Sequence, residues 1–258
     1  MTEELVNFQF PKTSSSIIKV VGVGGGGCNA VSHMYEEGIK GVEYLICNTD
    51  SQALESSPVP TKIQMGVTLT EGRGAGNKPE MGEESARENY DDIKAVLENN
   101  TKMLFITAGM GGGTGTGAAP VIASLARELG ILTIAVVTIP SPAEGKKRNA
   151  QAREGIKKLG EFVDSMLVIS NQRLHNIYGD LPARQAFKMA DNIVATAVKG
   201  VAEIITVHGN VNIDFTDVHT VMHNSELFIM GTGLSSGEGR AMDAVNKALE
   251  SPLLDSND

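Results

Sequence analysis

The sequence predicts a mostly parallel, doubly wound α/β sheet, followed by a long central helix and the beginning of a second α+β domain. Three observations lead there. Short β-branched apolar runs alternate with helical stretches from residue 17 to about residue 170, the pattern of βαβ units with helices on both sheet faces. Two of those runs end in dense glycine before a helix, which is where such sheets bind ligands, beyond the carboxyl ends of the strands. Residues 183–206 then carry apolar side chains at helical spacing without a break.

Composition narrows the class. A chain of 258 residues can bury a large core and leaves room for part of a further domain. A hydrophobic fraction of 41% with no apolar run near eighteen residues describes a soluble globular protein with no direct membrane insertion. The net charge of −9 argues against nucleic acid as a partner. An acidic chain that holds an anionic ligand must do so with local backbone donors. Cys28 and Cys47 have no metal-ligand spacing and form no disulfide framework. Residues 1–16 lack the apolar segment of a signal peptide, so a mobile tail and a cytoplasmic location are expected.

The first strand, Ile17–Val23, meets Gly24, Gly25, Gly26 and Gly27, then Asn29 and a helix to about Glu37. Gly22–Gly27 satisfies G-x-G-x-x-G, the fingerprint of a dinucleotide-binding oxidoreductase, but any glycine run would. Strand Val42–Cys47 ends in Asn48-Thr49-Asp50, and Pro58 and Pro60 precede a short strand, Thr61–Met65. The loop Glu71–Asn77, with Gly74, Ala75 and Gly76, reads as a third phosphate-facing loop at the same sheet edge, before a polar helix over Met81–Glu98.

Strand Met103–Ala108 opens the most informative stretch: Gly109, Met110, Gly111, Gly112, Gly113, Thr114, Gly115, Thr116 and Gly117, ahead of a helix over Ala118–Leu129. Glycine lets the backbone approach an anion closely, and the helix start adds unpaired N–H donors and a positive dipole end. Thr114 and Thr116 bring hydroxyls that can cap the helix or touch phosphate. The run lacks the Gly-Lys-Ser/Thr ending of the P-loop, so it is not that cradle. Strand Ile131–Thr138 leads to Pro140-Ser141-Pro142-Ala143-Glu144, Arg148 and a helix over Ala152–Phe162; strand Ser165–Ile169 leads to Asn171. Beyond the long helix, Asp214 has the sequence context of an N-cap, with Asp217 in the following turn. A strand over Phe228–Gly233 and a helix over Arg240–Leu249 close the chain. His219 and His223 lack the glutamate of H-E-x-x-H and read as packing or surface residues; Cys28 reads as a small filler in a tight loop.

The unbroken Gly-Gly-Gly-Thr-Gly-Thr-Gly at Gly111–Gly117 resembles the signature of the tubulin/FtsZ family, and its flanks resemble the bacterial cell-division branch rather than eukaryotic tubulin. The resemblance extends over nearly the whole chain, and Gly72–Gly76 matches the family's GxGAG segment. It implies GTP or GDP bound with Mg²⁺ on the phosphates. The glycine loops and the Asn48–Asp50 turn would lie in the nucleotide site. Glu144 and Arg148 would contact the ribose and base side, and Asn171 and Asp191 would hydrogen-bond guanine, with Phe187 stacked on it. Asn192 is the polar alternative to Asp191. Ser141 and Ala143 stand where the family usually carries aromatics.

Val211–Val218 resembles the family's NxDFxDV loop, which implies that Asn212, Asp214 and Asp217 act on a neighbour's nucleotide. From Asp191 to Asp214 a helix covers on the order of 30 Å, so those acids end far from their own chain's phosphate edge. The expected assembly is a head-to-tail homopolymer that hydrolyses GTP between subunits. The alternative is a GTP-binding module without efficient hydrolysis. The expected division is a tail at 1–16, a GTP-binding domain at 17–182, the central helix at 183–206, and a truncated second domain at 207–258. The family's C-terminal tail, which binds other division proteins, is expected to be absent.

Overall fold

The computed structural model describes residues 16–177, 183–206, 214–227, 231 and 233–249. Among them, seven strands form one sheet in the order β3-β2-β1-β4-β5-β6-β7, every neighbouring pair parallel. The first half runs β1 (Ile18–Val23), α1 (Gly24–Glu37), β2 (Glu43–Asn48), α2 (Ser51–Ser56), β3 (Thr61–Gln64), α3 (Val67–Thr70), α4 (Pro79–Glu88) and α5 (Tyr90–Glu98). Then come β4 (Met103–Gly109), α6 (Thr114–Glu128), β5 (Leu132–Ile139), α7 (Lys146–Gly160), β6 (Ser165–Ser170) and α8 (Asn171–Ile177). The chain continues through α9 (Ala183–Thr206), α10 (Phe215–Met222), β7 (Glu226–Leu227) and α11 (Arg240–Leu249). The expected strand over Phe228–Gly233 and the loop residue Asn212 lie largely or wholly outside the described residues.

Strands buried on both faces must be apolar on both, and β1 and β4 are. Val20, Ile46, Phe105, Ile134 and Leu167 face one layer, where they meet Val31 and Met34 of α1 and Val194, Val198 and Val201 of α9. Val21, Leu45, Leu104, Ile106 and Val137 face the other, against α4 to α7. Lys19 is the exception on β1. It is only 3% exposed, and its Nζ donates to the carbonyls of Val96 and Asn99 beside Glu43, closing the C-terminus of α5 onto the sheet.

Three boundaries differ from expectation for physical reasons. The expected single helix over Met81–Glu98 breaks at Asn89, whose side-chain oxygen accepts from Gly66 N–H and whose amide donates to Asp92. Helix α7 begins at Lys146 rather than Ala152, because its first turns are charged and carry no apolar periodicity. Helix α6 begins inside the glycine run, at Thr114. Gly117 permits that start: a Cβ there would fall 1.9 Å from the Pro79 carbonyl oxygen, so α4 and α6 touch backbone to backbone. Tertiary contact overrides glycine's poor helix propensity.

The two rims of the sheet carry different things. The carboxyl rim holds the turns into α1, α6 and α8 and the run from β5 to α7. The amino rim holds α10, because β7 pairs with the start of β6, Ser165 opposite Glu226 and Met166 opposite Leu227. His223 Nδ1 lies 2.6 Å from the carboxylate of Asp164, the residue before β6, and Val218 and Met222 are buried in the core.

Replacing Gly117 with alanine is expected to cost about 3 kcal/mol through overpacking against Pro79. Gly112→Ala, where a Cβ meets no protein atom within 4 Å, is expected to change stability by less than about 0.5 kcal/mol. Urea midpoints of the two variants check the difference.

Candidate nucleotide site

The two glycine loops at the carboxyl rim pack against each other without side chains between them. A Cβ on Gly24 would stand 2.7 Å from Gly115 N, on Gly26 3.2 Å from Gly109 Cα, on Gly27 2.2 Å from Thr107 O, and on Gly115 2.7 Å from Gly109 O. Gly24 and Gly111 also take positive φ, 71° and 99°. Thr116, buried, holds the loop from within: its Oγ1 accepts from Gly111 N–H at 2.8 Å. Thr114 Oγ1 bonds Thr49 Oγ1 at 2.6 Å, tying the loop to the turn after β2.

Above these backbones lies a cavity of about 340 Å³, within the range of small-molecule sites. Its glycine wall is Gly25, Gly26, Gly109, Met110, Gly112, Gly113, Thr114 and Gly115, with Asn29 beside it. A Cβ at Gly25 or Gly112 would point into open space, so this wall exposes main chain to whatever enters. The helix starts of α1 and α6 meet this wall, a geometry that favours an anion.

The opposite wall is Pro140, Glu144, Arg148, Asn171 and Asp191. Glu144 is a hub: its carboxylate accepts from Ser141 N–H at 2.9 Å and from the Asn171 amide at 3.4 Å, and it pairs with Arg148. Asp191 on α9 faces the same space. Burial pushes its carboxyl up to about 6, and His33 pulls it partly back down. Asn192, the alternative, turns elsewhere: its Oδ1 bonds His33 Nε2 at 2.5 Å, outside this cavity. Ser141 is buried, with Asn149 donating to its carbonyl, so polar bonds hold the segment at a position where the family resemblance implies an aromatic.

Other expected site residues sit beside the cavity rather than on it. Gly24, Gly27, Gly111, Thr116 and Gly117 are the packed underside of the loops. Asn48 Oδ1 accepts from Thr49 N–H, and Asp50 caps α2 through the N–H groups of Gln52 and Ala53. Gly74 N–H donates to the Thr49 carbonyl, and Ala75 abuts Gly113, while Gly76 follows in the same loop without lining the cavity. Phe187 lies on α9, and its side chain is outside the described residues. Asp214 and Asp217 are exposed at the other rim, where each caps the other's N–H at 3.0 and 3.1 Å. That box engages one oxygen of each carboxylate.

Sequence reasoning missed Thr107, Ala108 and Thr138, at the strand ends, and Ala30, Ala190 and Val194. The last two flank Asp191 one turn apart, a helical spacing that could have identified them.

Residues 17–179 match the family model described as Tubulin/FtsZ family, GTPase domain. The cell division protein FtsZ of Porphyromonas gingivalis is 48% identical over 260 residues, which is 100% of this chain and 57% of that protein. That of Coxiella burnetii is 51% identical over 254 residues, 97% of this chain and 66% of that protein. The chain thus spans between about half and two thirds of these relatives' length. A solved FtsZ dimer, empty, from M. jannaschii superposes with a TM-score of 0.87 at 46% identity, covering 95% of this chain and 71% of that one. Glycine loops on the carboxyl rim, acids on the amino rim and a matching sequence over most of the chain agree: the chain belongs to the Tubulin/FtsZ family.

Proposed function

We propose that the chain binds GTP on the carboxyl rim and hydrolyses it in a head-to-tail homopolymer, with the acids supplied by the next subunit, as a cytoplasmic protein acting at the division site. One observation carries the reading. The main-chain cradle and the α10 carboxylates occupy opposite rims of one sheet, so a single chain cannot bring them together. A translational stack can, and such a heterologous contact continues as a filament. The relatives named FtsZ, one of them a dimer, support self-association.

In this arrangement the glycine wall and the helix starts of α1 and α6 hold the phosphates. Arg148 and Glu144 meet the ribose side. Asn171 offers the base both a donor and an acceptor, and the Asp191 carboxylate accepts guanine N–H groups. The second oxygens of Asp214 and Asp217 orient a water toward the neighbour's γ-phosphate; Asn212 completes that loop. Mg²⁺ bound with the nucleotide would neutralise phosphate charge; among the described residues no group of three or more His, Cys, Asp or Glu side chains could hold a metal. The unit at 17–182 would bind nucleotide, 183–206 would span the rims, and 207–258 would begin the second domain.

Mixing decides the shared site. Asp214→Ala lacks the acid and Gly112→Asp places a carboxylate in the open cradle, so each alone is expected to release little phosphate. Together they are expected to recover a substantial part of wild-type turnover, rising with protein concentration. A mixture as inactive as its components removes the in-trans arrangement.

Acidity tests the base contact. Above about 6 the Asp191 carboxylate is ionised and accepts guanine N–H; below it the carboxyl gains an O–H that opposes the base's donors. GTP affinity is therefore expected to fall with falling pH, roughly tenfold one unit below that value. Asp191→Asn is expected to bind weakly with a flat profile in the same titration.

A further inference from the structure

A second cavity, of about 360 Å³, lies behind the glycine run, between α4 and α7 with α6 as its floor. Thr116, Gly117, Pro120, Val121 and Ser124 lie along one face of α6. The nucleotide cavity takes Gly112 to Gly115 from the front of the same run, and this cleft takes Thr116 and Gly117 from behind. Its walls are close because they lack side chains: a Cβ on Gly155 would stand 2.4 Å from Thr116 Cγ2 and 3.4 Å from the Thr116 carbonyl oxygen.

One acceptor here, Gln151 Oε1, is buried without a donor among the described residues, and another, the Thr116 carbonyl, lacks its regular helical one. Pro120 sits inside α6 and has no N–H to return to the carbonyl four residues earlier, that of Thr116. Gln151 lines the cleft, and its Oε1 is buried with no hydrogen-bond partner among the described residues, while its amide nitrogen donates to Asn77 at the end of the Gly72–Gly76 loop. The rim is acidic. Its two cations, Arg87 and Lys158, are each paired within their own helix, to Glu83 and Glu154, and Glu80, Glu128 and Glu161 have no basic partner among the described residues. Pro120, Val121 and Phe162 give an apolar floor.

We propose that this cleft is an effector site for a small organic cation rich in N–H donors, of the amidinium or guanidinium class, coupled to the glycine rim through Thr116 and Gly117. The cation's flat apolar body rests on Pro120, Val121 and Phe162. Its N–H groups meet the Thr116 carbonyl and Gln151, and the rim carboxylates balance its charge. Thr116 already holds Gly111 N–H, so an occupant that fixes Thr116 stiffens the loop that the phosphates meet from the other side. Nucleotide then binds a more ordered rim, and the coupling is reciprocal. This last step rests on the proposed nucleotide reading; occupancy of the cleft does not.

Benzamidine titrated into the full, isotope-labelled chain separates the two. Saturable shifts of the Gly117 and Gly155 amides and the Gln151 side-chain amide are expected, at the millimolar affinity open to a fragment of about nine heavy atoms. Ser124→Trp, which fills the cleft, is expected to abolish them, and Glu154→Lys, a change confined to the exposed rim, to weaken them. No shifts, or shifts indifferent to both variants in folded protein, overturn the site. In nucleotide titrations, saturating benzamidine is expected to tighten GDP by about fivefold, and not at all in Ser124→Trp; unchanged affinity overturns the coupling. A chain that binds benzamidine in the cleft but no guanine nucleotide overturns the proposed function and leaves the cleft standing.

Discussion

The structure depends on contact between two backbones with nothing between them. At the carboxyl rim the loop after β1 and the loop after β4 meet through Gly24, Gly26, Gly27, Gly109 and Gly115, at distances that admit no Cβ. Close approach lets neighbouring parallel strands deliver two helix starts to one spot, and it leaves main chain uncovered at Gly25 and Gly112, where a Cβ would meet no protein atom within 4 Å. In the proposed reading anion affinity is a property of the main chain, which suits a protein of net charge −9 whose cavity lining includes the cation Arg148.

The same crowding continues behind the rim. Gly117 presses α6 onto α4, and Gly155 presses α7 onto α6, so the helices covering that face are set by glycine contacts as much as by apolar packing. The other face is ordinary by comparison: α1 and α9 bury valines, alanines and Met34 on the strands. One layer is thus coupled to the glycine loops by backbone contact, while in the other α9 holds Asp191 at the carboxyl-rim cavity and runs from there toward the opposite rim. There α10 is held by buried Val218 and Met222 and by the His223–Asp164 pair.

The order of strands and helices was legible because parallel strands are continuously apolar and glycine punctuates them. Both glycine runs, Glu144, Arg148, Asn171 and the Asp214–Asp217 cap could be read for the same reason: each sits at a strand end or helix start that local pattern reveals. What was not legible depended on contacts distant in sequence. In the loop read as phosphate-facing, Gly74 N–H bonds the Thr49 carbonyl and Ala75 abuts Gly113, contacts that no local pattern announces. Thr107 and Thr138 line the cavity only because β4 and β5 happen to end there. The start of α6 inside the glycines could not be seen, since propensity opposes it and only the fit against Pro79 permits it.

By itself the sequence determined the layered α/β class, the two glycine turns and the long helix that separates acids from cradle, because hydrophobic period and glycine density are local properties. Only the tertiary structure decided which of two adjacent polar residues faces the cavity, Asp191 rather than Asn192, since a rotation of one residue on α9 is fixed by its packing on α1 and His33. The strand pairing that holds α10 at the amino rim, β7 on the start of β6, was likewise decided only by the tertiary structure. Register between strands is a choice among distant partners, and a linear pattern holds no record of it.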